Sequence, residues 1–400
     1  MSERPTRVAP NASVHGLFVA FGLVIAAFFP FLALYLDDRG LSKSQIGVLI
    51  SVMALARALA NPFWGHLSDT TIGRLTALRI GTAITIVTAL VLNRVDGFAA
   101  IAVLFAVQSV GMIATGPNLD AIALVHLGEE RMSDYGHVRS WESLSYAAGC
   151  LTFGAVLEVG GARWAMPLYA AASIGVLSWS WTLRRDRPVK LEAGHGRLGS
   201  VGAVFRAAPR FWGFLVAVLL VWTGFNAAWS FLALKIEQGG GGPFLVGVGT
   251  ALGGLVEVLV MRSSARLQRR IGLRHLYMAG CLTYAIGFLL WGIVDDPTIV
   301  SVLTVFEGAG FSLLFTTAVV IVGRLLPSNL YSTGNAIGAM VGFGIGPILG
   351  AGVGGFVYDA VGATALYAGA SGLAVAGAVA AWFALDVPAL RRPAGSAAAA

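Results

Sequence analysis

Long uninterrupted apolar runs, following one another along the whole chain, constrain this sequence more than any other feature. Bounded by charges or by Gly and Pro, they fall at about 14–36, 44–66, 75–93, 97–126, 139–159, 163–183, 209–235, 244–262, 275–294, 297–323, 331–357 and 363–385. Most come close to the roughly 20 apolar residues that a helix needs to cross the hydrocarbon core of a bilayer. The expected fold class is an all-α polytopic membrane protein with twelve transmembrane helices. Composition excludes a soluble globule, because only 12% of the residues are charged, against about 25% in soluble domains. At 57% hydrophobic the chain is no candidate for disorder, and its 52 glycines follow no collagen period. An outer-membrane barrel would alternate over segments of roughly ten residues instead. The first run follows Arg4 and Arg7 but is too long for the apolar part of a signal peptide, so it reads as the first span.

Twelve spans put both termini on one side, and the positive-inside rule selects that side. Of the 27 Lys and Arg residues, 21 fall on the side of the termini. Five (Arg39, Lys43, Arg94, Arg163 and Lys235) fall opposite, and Arg57 lies inside a span. Both termini are therefore expected in the cytoplasm. The expected location is the plasma membrane, or the inner membrane of a Gram-negative bacterium. Topology accounts for the net charge of +7, so the charge calls for no nucleic-acid partner. The lipid bilayer and its anionic headgroups are the partner it suggests.

The longest cytoplasmic stretch, Arg184 to Arg210, holds Pro188, Gly194, Gly196 and Gly199 and reads as a linker over 184–208. It separates a six-helix bundle at 1–183 from a second at 209–385, leaving 386–400 as a disordered tail. The segment "IGVLISVMALARALANPFWGHLSD" from Ile46 is similar to "VGVGTALGGLVEVLVMRSSARLQRR" from Val246, at an offset of 200. Two parallel six-helix repeats around a midplane cavity are the architecture of a secondary transporter.

Three segments carry a family resemblance: "FFPFLALYLDDRGLSKSQIGVLIS" (Phe28 to Ser51), "NPFWGHLSDTTIGR" (Asn61 to Arg74) and "YGHVRSWES" (Tyr135 to Ser143). They resemble the major facilitator superfamily. Within it, they are most similar to the branch containing 3-phenylpropionate permease and the lactose-permease-like proton symporters. The resemblance implies alternating access by two rocking bundles and proton-coupled uptake of a small organic solute, an aromatic acid or sugar-like molecule. It implies the proton gradient as energy source and no cofactor. The expected partners are a small-molecule substrate, protons and the bilayer, and the expected assembly is a monomer.

An ionisable residue within a span costs at least about 2.5–3.5 kcal/mol at the bilayer centre, so each asks for a reason. Glu307 lies about 15 Å into the tenth span at 1.5 Å per residue, with no basic residue within a turn. The resemblance implies a proton carrier there, in "VFEGAGF". The alternative is a protonated acid bonding a backbone carbonyl between helices. Asp120 and Arg139 sit near the cytoplasmic ends of the fourth and fifth spans. Matching residues bind substrate in the resembled sugar symporters, while a structural ion pair is the other reading. Tyr146 lies seven residues past Arg139, about 20° from the same stripe. Glu142 stands where the resembled proteins have glycine, one turn from Arg139, and could pair with it. Glu257 occupies the repeat position of Arg57 with opposite sign. By the geometry of the resembled fold it could reach Arg139 across the two halves and join Glu307 in coupling. Arg57 has no acid partner evident in the sequence.

Asp69, in the turn "GHLSDTTIGR" with Gly65 and Arg74, is expected to tie cytoplasmic helix ends as a gating element, Gly65 allowing close approach. Trp222, Asn226 and Trp229 share one face of the seventh span and either pack or line the cavity. Gly338, Gly342, Gly346, Gly350 and Gly354, at four-residue spacing around Pro347, are expected to pack and bend the eleventh span. Cys150 and Cys281 lie in apolar runs as small packing residues. The six histidines show no metal-ligand spacing, and no catalytic triad or acid pair stands out. The chain is not expected to be an enzyme. An exporter or facilitator of the same fold, or a membrane sensor or scaffold, are the competing readings.

Overall fold

The computed structural model describes residues 11–127, 134–183 and 199–387. Residues 184–198 of the expected linker and the tail from 388 onward lie outside them, as do Arg4, Arg7 and Arg131. The first half contains α1 (Asn11–Phe28), α2 (Leu32–Asp38), α3 (Lys43–Leu67), α4 (Arg74–Leu92), α5 (Phe98–Ile113), α6 (Gly116–Leu127), α7 (Tyr135–Gly160) and α8 (Ala165–Ser180). The second contains α9 (Gly199–Ala207), α10 (Pro209–Gln238), α11 (Pro243–Ile271), α12 (Leu273–Ile293), α13 (Pro297–Val302), α14 (Thr304–Leu325), α15 (Tyr331–Ala339), α16 (Gly346–Val361) and α17 (Ala363–Ala384). The fold is all-α among the described residues.

Among the described residues, ten helical stretches are long and apolar enough to cross a membrane, and α1 with α2, bent by 41°, supplies an eleventh if the pair is one span. The sixth expected span falls short. Its first residues form a 3-10 turn at Ala162–Trp164, leaving α8 with 16 residues, about 24 Å of rise. The expected eleventh span is one helical stretch, Ser328–Val361, whose hydrogen-bond register changes partway along. Residues Met340–Ile345 take π geometry ahead of Pro347. Proline has no N–H to donate and crowds the carbonyl four residues back, so the ladder widens there.

The chain forms two compact units, one drawn from 1–32 and 56–193 and the other from 33–55 and 194–400. In the first, α1 packs on α7 and α8, and α4 on α5 and α8. In the second, α10 packs on α16 and α17, α12 on α14 and α17, and α11 on α14. Residues 33–55 are contiguous in sequence with the first bundle yet pack with the second unit. The Lys43 and Ser44 amides donate to the Asp359 carboxylate at 3.2 and 2.7 Å, and the Ser51 hydroxyl donates to the Ile348 carbonyl at 2.8 Å.

The internal repeat recurs in the backbone. Gly40 and Gly240 (φ 77° and 85°), Gly73 and Gly272 (81° and 85°), and Gly161 and Gly362 (83° and 99°) turn the chain at matching loops of the two halves. These are left-handed conformations that only glycine adopts without strain. Each unit also buries an arginine over a tryptophan. Arg79 donates to the Ser180 hydroxyl and carbonyl and lies 3.9 Å from the Trp181 ring. Arg274 donates to Asp386 at 2.6 Å and lies 3.8 Å from the Trp382 ring. Hydrogen bonds and the ring face together offset the cost of burying the charge.

Candidate functional site

In the first unit, α6 and α7 bring Asp120, Tyr135, Arg139 and Glu142 together. The Tyr135 hydroxyl donates to Asp120 Oδ1 at 2.7 Å, and Arg139 Nη1 donates to the same oxygen at 2.9 Å. Glu142 Oε2 lies 3.5 Å from Arg139 Nη1, one turn along the helix, and makes no hydrogen bond. The intrahelical approach of Glu142 to Arg139 and the meeting of Arg139 with Asp120 are both present. Tyr135 is a member that the sequence reading missed. Its signal was its position four residues before Arg139, on the same helix face. The side chains of Arg139 and Asp120 are 47% and 38% exposed, which leaves polar atoms accessible to a solute. Tyr146 is half-buried on α7. With Asp120 and Glu142 in its own unit, Arg139 has two carboxylates at hand without Glu257.

Below α3, the chain continues as a π-helical turn at Ser68–Ile72, where Arg74 Nε donates to Asp69 at 3.0 Å. This ion pair ties the turn to the start of α4. Gly65 corrects one expectation. A methyl group there would meet nothing within 4 Å, so close approach is not the reason for its glycine.

The second unit holds the other charged group. Three hydroxyls tie α13 and α14 to α11: Ser301 to the Leu245 carbonyl, Thr304 to Gly249 and Ser312 to Glu257, at 2.7, 2.7 and 2.9 Å. Where these helices cross, Gly308 lies against the Gly253 backbone so closely that neither glycine could carry a side chain without movement. Small residues at such a crossing let two helices approach within backbone contact. The sequence signal was Ser301, Thr304, Gly308 and Ser312 at spacings of three and four, which the reading of charges passed over. Glu307 opens α14, its carboxylate oxygen seated over Gly253. It interacts electrostatically with Glu257, and both act on Tyr284. Among the described residues Glu307 makes no ion pair and no hydrogen bond. Tyr284 is fully buried, and its hydroxyl has no hydrogen-bond partner.

Trp222 is 4% exposed and packs edge-on against Phe225 and Phe311, and across Phe343 at 4.5 Å. Gly342 and Gly346 lie against it. Asn226 donates to the Trp222 carbonyl at 2.7 Å. Phe225 stacks on Tyr284 and Trp229 at 5.4 and 6.1 Å, so an aromatic wall runs from α10 to the acidic pair. Gly350 and Gly354 seat this part of the chain on α10, while a methyl group at Gly338 would meet nothing within 4 Å.

A multi-pass helical bundle with an internal repeat and ionisable residues in mid-span defines a secondary transporter. The chain belongs to the MFS_1-like family, whose model matches residues 14–368. It is 28% identical over 339 residues to the maltose permease of Geobacillus stearothermophilus, covering 82% of both chains. It is 23% identical to the uncharacterized transporter YwbF of Bacillus subtilis, over 89% of this chain and 88% of that one. The solved nucleoside transporter NupG has the same fold, with a TM-score of 0.83 at 18% identity over 94% of this chain and 99% of that chain. The protein is a multi-pass membrane transporter of the major facilitator superfamily.

Proposed function

We propose that this transporter is a proton symporter that takes up a small, partly polar organic solute, sugar-like or an aromatic acid. The observation that carries the reading is Glu307, a mid-span carboxyl seated on Gly253, beside Glu257 and without an ion-pair partner among the described residues. Two acids so close in a low-dielectric setting resist simultaneous ionisation, so the pair suits loading and unloading of one proton. Asp120, Arg139 and Tyr135 supply the polar contacts for the solute, with Tyr146, Trp222 and Asn226 as the further candidates. Asp69 and Arg74 act in gating, and Glu142 tunes Arg139. Both termini face the cytoplasm from the plasma membrane, the working unit is a monomer, and the proton gradient replaces any cofactor. The likeness to a maltose permease favours the sugar-like solute.

The test uses purified protein in vesicles with an imposed inward proton gradient, and labelled maltose and gluconate as probes. Wild type should accumulate one of them. Glu307→Gln should lose accumulation yet still exchange internal for external solute, because a glutamine keeps the shape but carries no exchangeable proton. Undiminished accumulation in the mutant would remove Glu307 as carrier.

A further inference from the structure

The acidic group of the second unit has a counterpart in the first. Glu257, Tyr284 and Glu307 lie on α11, α12 and α14. About 200 residues earlier, the matching helices α3, α4 and α5 carry Arg57, Thr85 and Gln108, and α8 adds Tyr169. Thr85, Gln108 and Tyr169 are 3%, 1% and 0% exposed. The Thr85 hydroxyl, both amide atoms of Gln108 and the Tyr169 hydroxyl make no hydrogen bond. Tyr169 nonetheless lies within side-chain hydrogen-bonding range of Gln108 and Thr85, and within electrostatic reach of Arg57. Arg57, in mid-span, makes no ion pair or hydrogen bond among the described residues.

Each buried polar group left without a partner costs about 1–3 kcal/mol, and native proteins keep few of them. Here three such side chains, with only one another within reach, lie beside a guanidinium that has no carboxylate. Arg79 and Arg274 differ in having partners, since Arg79 bonds Ser180 and Arg274 pairs with Asp386, each against a tryptophan face. A cation held for the fold is paired; one held for a ligand waits for its anion. The donors also suit a planar oxyanion: a guanidinium fork, two hydroxyls and an amide N–H. The Phe28 ring, 4.7 Å from that of Tyr169, walls the group with apolar surface, which strengthens each charge-assisted bond.

We propose that Arg57, with Thr85, Gln108 and Tyr169, forms an oxyanion site in the first unit that takes the carboxylate of an organic solute. The site rests on the chain being a transporter but not on Glu307, and its binding is measured without a gradient.

The test is thermal stability of the purified full chain in detergent, in buffer free of chloride. The probes are gluconate and benzoate, their neutral counterparts glucose and benzyl alcohol, and chloride itself. A ligand that binds only the folded state raises Tm by mass action. At least one carboxylate should raise Tm while its neutral counterpart does not. Its apparent affinity should fall about tenfold or more in Arg57→Gln, the scale of a lost hydrogen bond to a charged group, with Arg57→Lys in between. Without ligand, Arg57→Gln should melt no lower than wild type, since it removes no bond. Tyr169→Phe should also weaken carboxylate binding. The proposal is overturned if neither carboxylate stabilises, if the neutral molecules do so equally, or if the shift survives Arg57→Gln. A large drop in the ligand-free Tm of Arg57→Gln would make the residue structural and overturn it too. Chloride reproducing the whole shift would mean a free-ion site and not a solute site. None of these results touches gradient-driven maltose accumulation or its dependence on Glu307, so the two readings fail separately.

Discussion

Asp120 holds Tyr135 and Arg139 through a single oxygen, Oδ1. The arginine and the acid are both more than a third exposed, and ion pairs with that much access to solvent stabilise by about 0–1 kcal/mol. The pair is therefore a poor choice for holding a helix hairpin and a good one for exchanging partners with a solute. Asp120→Asn should shift stability by no more than about 1 kcal/mol while strongly reducing uptake. A melting curve and a transport assay on the same preparation check both halves. A large loss of stability with unchanged uptake would return the pair to a structural role. Charged residues such as Asp120, Arg139 and Glu307 were legible in the sequence, because an ionisable side chain in an apolar run announces itself. Thr85, Gln108 and Tyr169 were not. Uncharged polar residues are common in spans, and only the structure shows that these three are buried together beside Arg57.

At the scale of the elements, the apolar runs located the helices, and the resemblance of Ile46 onward to Val246 onward located the repeat. Breaks within spans were less visible. Leu303 separates α13 from α14, although the run 297–323 shows no proline or glycine there. Hydroxyls supply the cause: Thr304 bonds both the Ser301 and Gly249 carbonyls at 2.7 Å, so the side chain competes with the ladder. Asp359 was also passed over, because its partners lie 315 and 316 residues away. It caps the start of α3 from the end of α16, accepting from two amides that have no intrahelical partner. Asp359→Ala should cost about 0.5–2 kcal/mol, as lost caps do. Hydrogen exchange should quicken at the Lys43 and Ser44 amides, with α7 unaffected. Unchanged protection at those amides would show that the cap holds nothing.

On the scale of the whole molecule, two repeated units have diverged in charge. One gathers Arg57 with neutral polar groups, the other Glu257 with Glu307. Fold and family followed from the pattern of apolar runs and three short motifs, because membrane spans leave few architectures open. Solute and coupling did not, since they depend on a handful of side chains whose distances no periodicity encodes. The most direct measurement of coupling is the internal pH of vesicles that hold the purified protein, with no imposed gradient, as maltose or gluconate is added outside. Proton symport requires the interior to acidify in step with solute entry in wild type, and requires that acidification to vanish in Glu307→Gln. Solute entry with internal pH unchanged would contradict coupling and leave a facilitator.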